Sequence, residues 1–213
     1  MITKEMCFYS NGYRLSAALY LPDHYEEGQK LPCIIPNSGY MGLNAIYPSL
    51  YARALTARGY AAFGFDYRGF LDNEGPAGVC KLEEQVEDIR NAVVFVQTLP
   101  QADAAALVMG AAAKEPAVRA AAGLNGFYNG RKWLQSVYSY ADYVALEEAV
   151  AKERIRFVTE GTRQFDQPFV YYPLDPATDT VVRDHLYKVD GYGQEISLEF
   201  GQSLLDFNAE DFI

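Results

Sequence analysis

Few side chains in this sequence are of a type and spacing that could attack, ligate or relay protons. Nucleophilic acyl transfer needs a serine, cysteine or aspartate held beside a base. The run AAALVMGAAAKEPAVRAAAGLNG over 104–126 begins as an apolar strand suited to delivering such a group, yet from Ala104 to Asn125 it contains no Ser, Cys or Asp. The two histidines, His24 in PDHYEEGQK and His185 in RDHLYKV, stand on polar segments and read as solvated surface. Cys7, Cys33 and Cys80 are odd in number and lack metal-type spacing, so neither a disulfide framework nor a metal site is expected. Cys33, inside LPCIIP, reads as a small buried hydrophobe. Asp175, Asp179, Asp184 and His185 are rich in ligand atoms, but their spacing fits no site type, and exposed charge explains them. Glu83, Glu84, Glu87 and Asp88 are expected on the outer, solvated face of a helix. No Gly-x-Gly-x-x-Gly, Walker-type loop or His-Glu-x-x-His occurs, and no cofactor is expected.

The elements that must position any site follow from hydrophobic period and turn chemistry. EMCFYSNGYRLSAALYL (5–21) has two alternating segments around Asn11-Gly12, a hairpin signal. LPCIIPN (31–37) is an apolar run of buried-strand type. YPSLYARALTARGY (47–60) predicts a helix with Leu50, Tyr51, Ala54 and Leu55 on its apolar face and Gly59 as C-cap. AAFGFD (61–66) is the next strand. KLEEQVEDIRNAVVFVQTLP (81–100) predicts a second amphipathic helix, with Leu82, Val86, Ile89, Val93 and Val96 inward and Pro100 just past its end.

AAALVMG (104–110) and RAAAGLN (119–125) are the third and fourth buried strands. An alternative reading makes the alanine-rich stretch itself helical, cut short at Pro116. Strand, helix, strand, helix, strand specifies an α/β architecture: a mostly parallel sheet with an N-terminal antiparallel hairpin and flanking helices. Residues 1–130 form this core. After Gly130 the texture changes, and 131–213 is expected to pack on the core as a helical, aromatic-rich insert or cap. Within it, 131–161 predicts one long helix or a helix pair, and TRQFDQPFVYYPLDPATDT (162–180) a loop. Phe165 and Phe169 of that loop either line an apolar pocket or belong to the core.

Composition bounds the function classes. The chain has 213 residues, half of them hydrophobic, with 17 Tyr and 12 Phe, which supplies a large core and excludes disorder. A formal net charge of −10 argues against nucleic acid and anionic membrane surfaces as partners. No apolar run approaches the roughly 20 residues of a membrane span. The N-terminus MITKEMCFYSNG lacks the apolar centre of a signal peptide, so a cytoplasmic location is expected.

Three segments resemble the α/β-hydrolase fold family, in its dienelactone-hydrolase and Xaa-Pro-peptidase-like branch. In LPCIIPNSGYMG, Ser38-Gly39-Tyr40-Met41 stands where the family places its oxyanion-hole loop. The resemblance implies backbone N–H donors at Tyr40 and Met41, about 3 Å from a developing oxyanion. Read from the residues alone, the same stretch is equally an ordinary strand-to-helix turn. FDYRGFLDNEG resembles the Asp-x-Arg-Gly turn, which implies structural roles for Asp66, Arg68 and Gly69. LPQADAAALVMG resembles the lead into the nucleophile strand, which should continue into Gly-x-Ser-x-Gly. Here Gly110 is followed by Ala111-Ala112-Ala113-Lys114, so the nucleophile position holds Ala112. KEPAVRAAAG then resembles the lead-in to the next strand, too soon for a helical crossover.

The family's acid and histidine would follow ISLEFGQSLLDFNAEDFI, and the chain is expected to stop at Ile213 short of both. The resemblance therefore implies a truncated three-layer hydrolase-like sandwich. Its ancestral activity would be hydrolysis of a small-molecule ester, lactone or amide, with no turnover by this chain alone. A small-molecule ligand or substrate remains compatible with it. The alternative expectation is a non-catalytic binding or assembly module that forms a homo-oligomer through an exposed sheet edge. A fragment not stably folded alone is the third.

Overall fold

The computed structural model describes residues 1–104, 118, 120–121, 128–166 and 174–208. Two compact units divide the chain: Met1–Gly75 with Gln85–Leu124, and Pro76–Glu84 with Asn125–Ile213.

In the first unit, β1 (Ile2–Ser10) and β2 (Tyr13–Leu21) form a hairpin whose register pairs Ser10 with Tyr13. The two turn residues, Asn11 at φ 49° and Gly12 at φ 87°, both take the left-handed conformation that a two-residue hairpin loop requires. Then come β3 (Leu31–Ile34), α1 (Tyr47–Thr56), β4 (Ala61–Phe65), α2 (Leu82–Gln97) and β5 (Ala102–Ala104). The first turn of α2 belongs to the second unit and the rest to the first. The sheet order is β1-β2-β4-β3-β5. β1/β2 and β2/β4 are antiparallel, while β4/β3 and β3/β5 are parallel.

Alternation along β4 divides the core between two faces. Ala62 packs with Ala18, Tyr20 and Ala52 of α1. Phe63 and Phe65 point the other way, into an aromatic cluster with Phe8 of β1 and Phe95 of α2. Helices thus cover both faces, and every residue of β4 is buried.

The predicted apolar face of α1 is not the one it buries. Pro48, Ala52 and Thr56 are inside, whereas Leu50, Tyr51 and Ala54 are exposed and Leu55 is half-buried. The reason is the surface it meets: Ala18, Ala62 and Gly64 admit a close approach, and a Cβ on Gly64 would lie 2.1 Å from Asn44 Oδ1 and 3.1 Å from Pro48 Cβ. Backbone proximity, not side-chain bulk, sets the phase of this helix. Its C-terminus closes as a Schellman pair, with Tyr60 N–H donating to Leu55 O and Gly59 N–H to Thr56 O.

β5 begins two residues before the predicted strand, and the remainder of that run, with most of 119–125, lies outside the described residues. β3 is shorter than 31–37 and ends at Ile34.

The second unit is mostly helical: α3 (Gly130–Val137), α4 (Tyr140–Glu160), α5 (Pro176–His185) and α6 (Glu199–Asp206). A two-residue ribbon joins β6 (Phe165–Asp166) to β7 (Ile196–Ser197). Side chains of Asn129, Ser139 and Asp175 cap α3, α4 and α5 by accepting from Lys132, Asp142, and Ala177 with Thr178 N–H groups. The Asp175 cap followed by Pro176 starts a helix inside the segment read as loop, so PATDT is helical. α3 and α4 pack on α6 around Leu134, Leu146, Val150, Phe200 and Leu204. Among the described residues no helix is long and apolar enough to cross a membrane.

Candidate functional site

β3 and β4 run parallel, so their carboxyl ends lie together, and the segments that leave them (35–46 and 66–75) start from one end of the sheet. The first holds the predicted oxyanion loop. Gly42 N–H donates to Gly39 O at 3.0 Å, which makes Tyr40 and Met41 the two central residues of a tight turn. Gln85, on the buried stripe of α2, donates from Nε2 to Tyr40 O at 2.8 Å. A trans peptide sets the Met41 N–H opposite the Tyr40 carbonyl, so Gln85 aims that N–H away from itself. Among the described residues the Met41 N–H has no acceptor, and the Met41 side chain anchors the turn by being buried.

The second segment locks the first. Asp66 Oδ1 accepts from Asn44 N–H at 2.7 Å, Tyr67 N–H donates to Gly42 O at 3.0 Å, and Asn44 Nδ2 donates to the Tyr20 hydroxyl at 2.9 Å. Burial raises the Asp66 carboxyl above its ordinary value, and the Asn44 N–H bond partly opposes this. Burial likewise raises Tyr20, against the opposing Asn44 bond.

Arg68 is buried and ion-paired with Asp88 of α2. Its Nε and main-chain N–H donate to Asp88 Oδ1 and Oδ2 at 2.9 and 3.2 Å, and a terminal nitrogen donates to Ser10 Oγ at 3.1 Å. Gly69 N–H donates to Glu74 O, and Asn73 bridges the segment to β2 by accepting from Ser16 N–H.

Asp88 therefore corrects one expectation. It is fully buried rather than on the solvated face, because Arg68 supplies the countercharge and donors that replace water. Glu83, Glu84 and Glu87 retain some solvent exposure and bond to Ser203, Lys81 and Arg90.

The remaining predicted residues are not assembled with this end by any described contact. Ala112, expected at the nucleophile position, lies outside the described residues, as does Gly110. Ser38 is half-buried and has no hydrogen-bond partner among the described residues. His24 follows β2, whose Tyr20 pairs with Ala62 at the start of β4, so it occupies the opposite end of the sheet and is exposed. His185 ends α5 in the second unit, exposed. Asp175 is used as a helix cap and Asp179 pairs with Arg183 at 2.7 Å. Among the described residues no cluster of three His, Cys, Asp or Glu side chains could hold a metal. Cys7, Cys33 and Cys80 form no disulfide among the described residues, and burial pushes the Cys33 thiol up to about 12 and Cys80 further up.

Gln85, Asn44 and Asn73 hold these segments and were not singled out by sequence reasoning, and Asp88 was singled out only as a solvated charge. A signal existed for two of them: Gln85 and Asp88 fall on the same helical stripe as Ala92 and Val96, where a polar residue needs a buried partner. Asn44 and Asn73 sit in loops, where asparagine is common and carries no comparable signal.

No protein-family model matches the chain. It is 32% identical over 100 residues to the quorum-quenching protein AidA of Acinetobacter baumannii, covering 46% of this chain and 32% of that protein. The chain thus spans well under half the length of this curated relative. Hypothetical protein PA2218 from Pseudomonas aeruginosa superposes with a TM-score of 0.77 at 19% identity, over 97% of this chain and 72% of that one. The α/β hydrolase GrgF from Penicillium sp. sh18 superposes with a TM-score of 0.72 at 17% identity, over 99% and 75%. With a mixed sheet of five strands among the described residues and helices on both faces, the chain has an α/β-hydrolase-like fold.

Proposed function

We propose that this chain carries the oxyanion-binding part of a hydrolase lineage whose reaction is cleavage of an ester, lactone or amide of a small molecule, and that the chain alone does not turn over. The observation that carries the reading is the Gly39–Gly42 turn, where Gln85 holds the Tyr40 carbonyl and the Met41 N–H has no acceptor among the described residues. A fixed N–H dipole at a strand's carboxyl end is the device that stabilises a developing oxyanion, worth about 10²–10³ in kcat per donor. The dienelactone-hydrolase-like resemblance and the likeness to a protein named for quorum quenching both support a small molecule as the substrate class.

Ala112 supports the second half of the proposal, because alanine has no atom to open an acyl-enzyme path. Ser38 is not an evident substitute: no base among the described residues is bonded to it, and His24 stands at the far end of the sheet. The test is the 213-residue chain incubated with p-nitrophenyl acetate, γ-butyrolactone and a fluorophosphonate probe. Neither turnover nor labelling above a buffer blank is expected. Turnover or labelling that disappears in Ser38→Ala would overturn the reading and make Ser38 the nucleophile.

The alternative, an assembly module, is favoured by one feature of the sheet. Among the described residues β1 pairs only with β2, leaving a nine-residue edge whose outer half, Ile2–Glu5, is exposed.

A further inference from the structure

The second unit contains a cavity of about 420 Å³ between α4, α6 and the segment that opens α2. That size lies within the roughly 300–1,000 Å³ of small-molecule sites. Its wall is mostly apolar, built from Val150, Phe157 and Val158 of α4 with Leu198 and Phe207 around α6. Val150, Arg154 and Val158 are spaced i, i+4 and i+8, so one stripe of α4 presents two valines and an arginine to the same space.

The charges around this cavity are unequally satisfied. Glu83 accepts from Ser203 Oγ at 2.8 Å, and Glu153, itself buried, accepts from Gln164 N–H at 2.6 Å and from Arg156. Glu199 pairs with Arg163, and Asp206 accepts from Gln202 Nε2 at 2.6 Å. Lys81 has Glu84 at 3.7 Å. Arg154, exposed at the mouth, makes no hydrogen bond or ion pair among the described residues. Each acidic group of the lining already has a donor, while this cation has no acceptor among the described residues.

We propose that this cavity binds a monocarboxylate with an apolar tail, the tail against Val150, Phe157 and Leu198 and the carboxylate on the Arg154 guanidinium. Arginine presents a forked donor pair matched to a carboxylate, and the aliphatic wall removes the tail from water. A cationic head would instead meet carboxylates already engaged and a guanidinium of like charge. The inference does not depend on the hydrolytic reading of the first unit, since it involves no ester chemistry.

Octanoate titrated into the full chain by isothermal calorimetry tests it, with octan-1-ol and octylammonium as matched probes. Saturable binding of one octanoate per chain is expected, with neither comparison probe binding as tightly. Arg154→Gln should weaken octanoate about tenfold, the effect of losing one partly solvated charge-assisted contact. Gln202→Trp, which fills the cavity from its half-exposed rim, should abolish binding. Both side chains lie outside the core, so the thermal melt of each variant should match that of the parent, and Arg154→Gln tests the head-group contact without any change in packing. No saturable octanoate binding, octylammonium binding as tightly as octanoate, or octanoate affinity unchanged in both variants would each overturn the proposal.

Discussion

Asp88 carries a full charge with no exposure to water, and Arg68 supplies most of what replaces that water. Removing one partner of such a pair leaves a buried charge uncompensated, a loss of about 3–5 kcal/mol. Asp88→Ala should therefore lower the urea midpoint severely, whereas Asp88→Asn keeps the side-chain volume and one of the two oxygen acceptors and should lose less. Equal losses in the two variants would show that the lost charge alone, not packing or the remaining acceptor, sets the cost. Asp66 makes a pH-dependent prediction. Its raised carboxyl favours the protonated form in the folded state, so the stability this lends is complete below the ordinary 3.8 and lost as pH rises through the raised value. Asp66→Asn removes that titration while keeping an acceptor for the Asn44 N–H. Urea unfolding from pH 7 down to pH 4 should thus show wild type gaining stability relative to the variant. Cys33 belongs to the same scale: with its thiol pushed up to about 12 and no exposure, it should resist iodoacetamide at pH 8 in the folded protein while half-buried Cys7 labels.

At the scale of elements, the hairpin, the two amphipathic helices and the order of strands and helices along the chain were legible because turn chemistry and period are local properties. Asn11-Gly12 needs nothing beyond itself to make a two-residue turn. The orientation of α1 was not legible, because it depends on Ala18, Ala62 and Gly64 being small in other elements. In the second unit the helix pair α3/α4 was one of two open readings, and the capping side chain of Ser139 decided between them. The contact of α3 with α6 is closer still. A Cβ on Gly130 would lie 1.8 Å from Leu204 O, a main-chain atom that cannot swing aside. Gly130→Ala should therefore cost more than the ordinary gain of replacing a helical glycine, roughly 1 kcal/mol in the opposite direction. Circular dichroism melts should show a destabilised variant; a stabilised one would mean that α3 and α6 can separate without loss.

At the scale of the whole molecule, the assembly reading predicts that the exposed β1 edge pairs with a second copy. Light scattering at micromolar concentration should then give a dimer or larger species, and a monomer with a cooperative melt would count against it. The sequence by itself determined the α/β class and the Gly39–Met41 loop that follows a strand, because both are written in contiguous stretches. The tertiary structure alone decided which polar residues work together. Gln85 reaches the Tyr40 carbonyl across 45 positions, Arg68 finds Asp88 across 20, and the cavity of the second unit draws its walls from α2, α4 and α6. Such pairings depend on where the chain returns in space. Local period and propensity carry no information about that, because they are set by neighbours within a few residues.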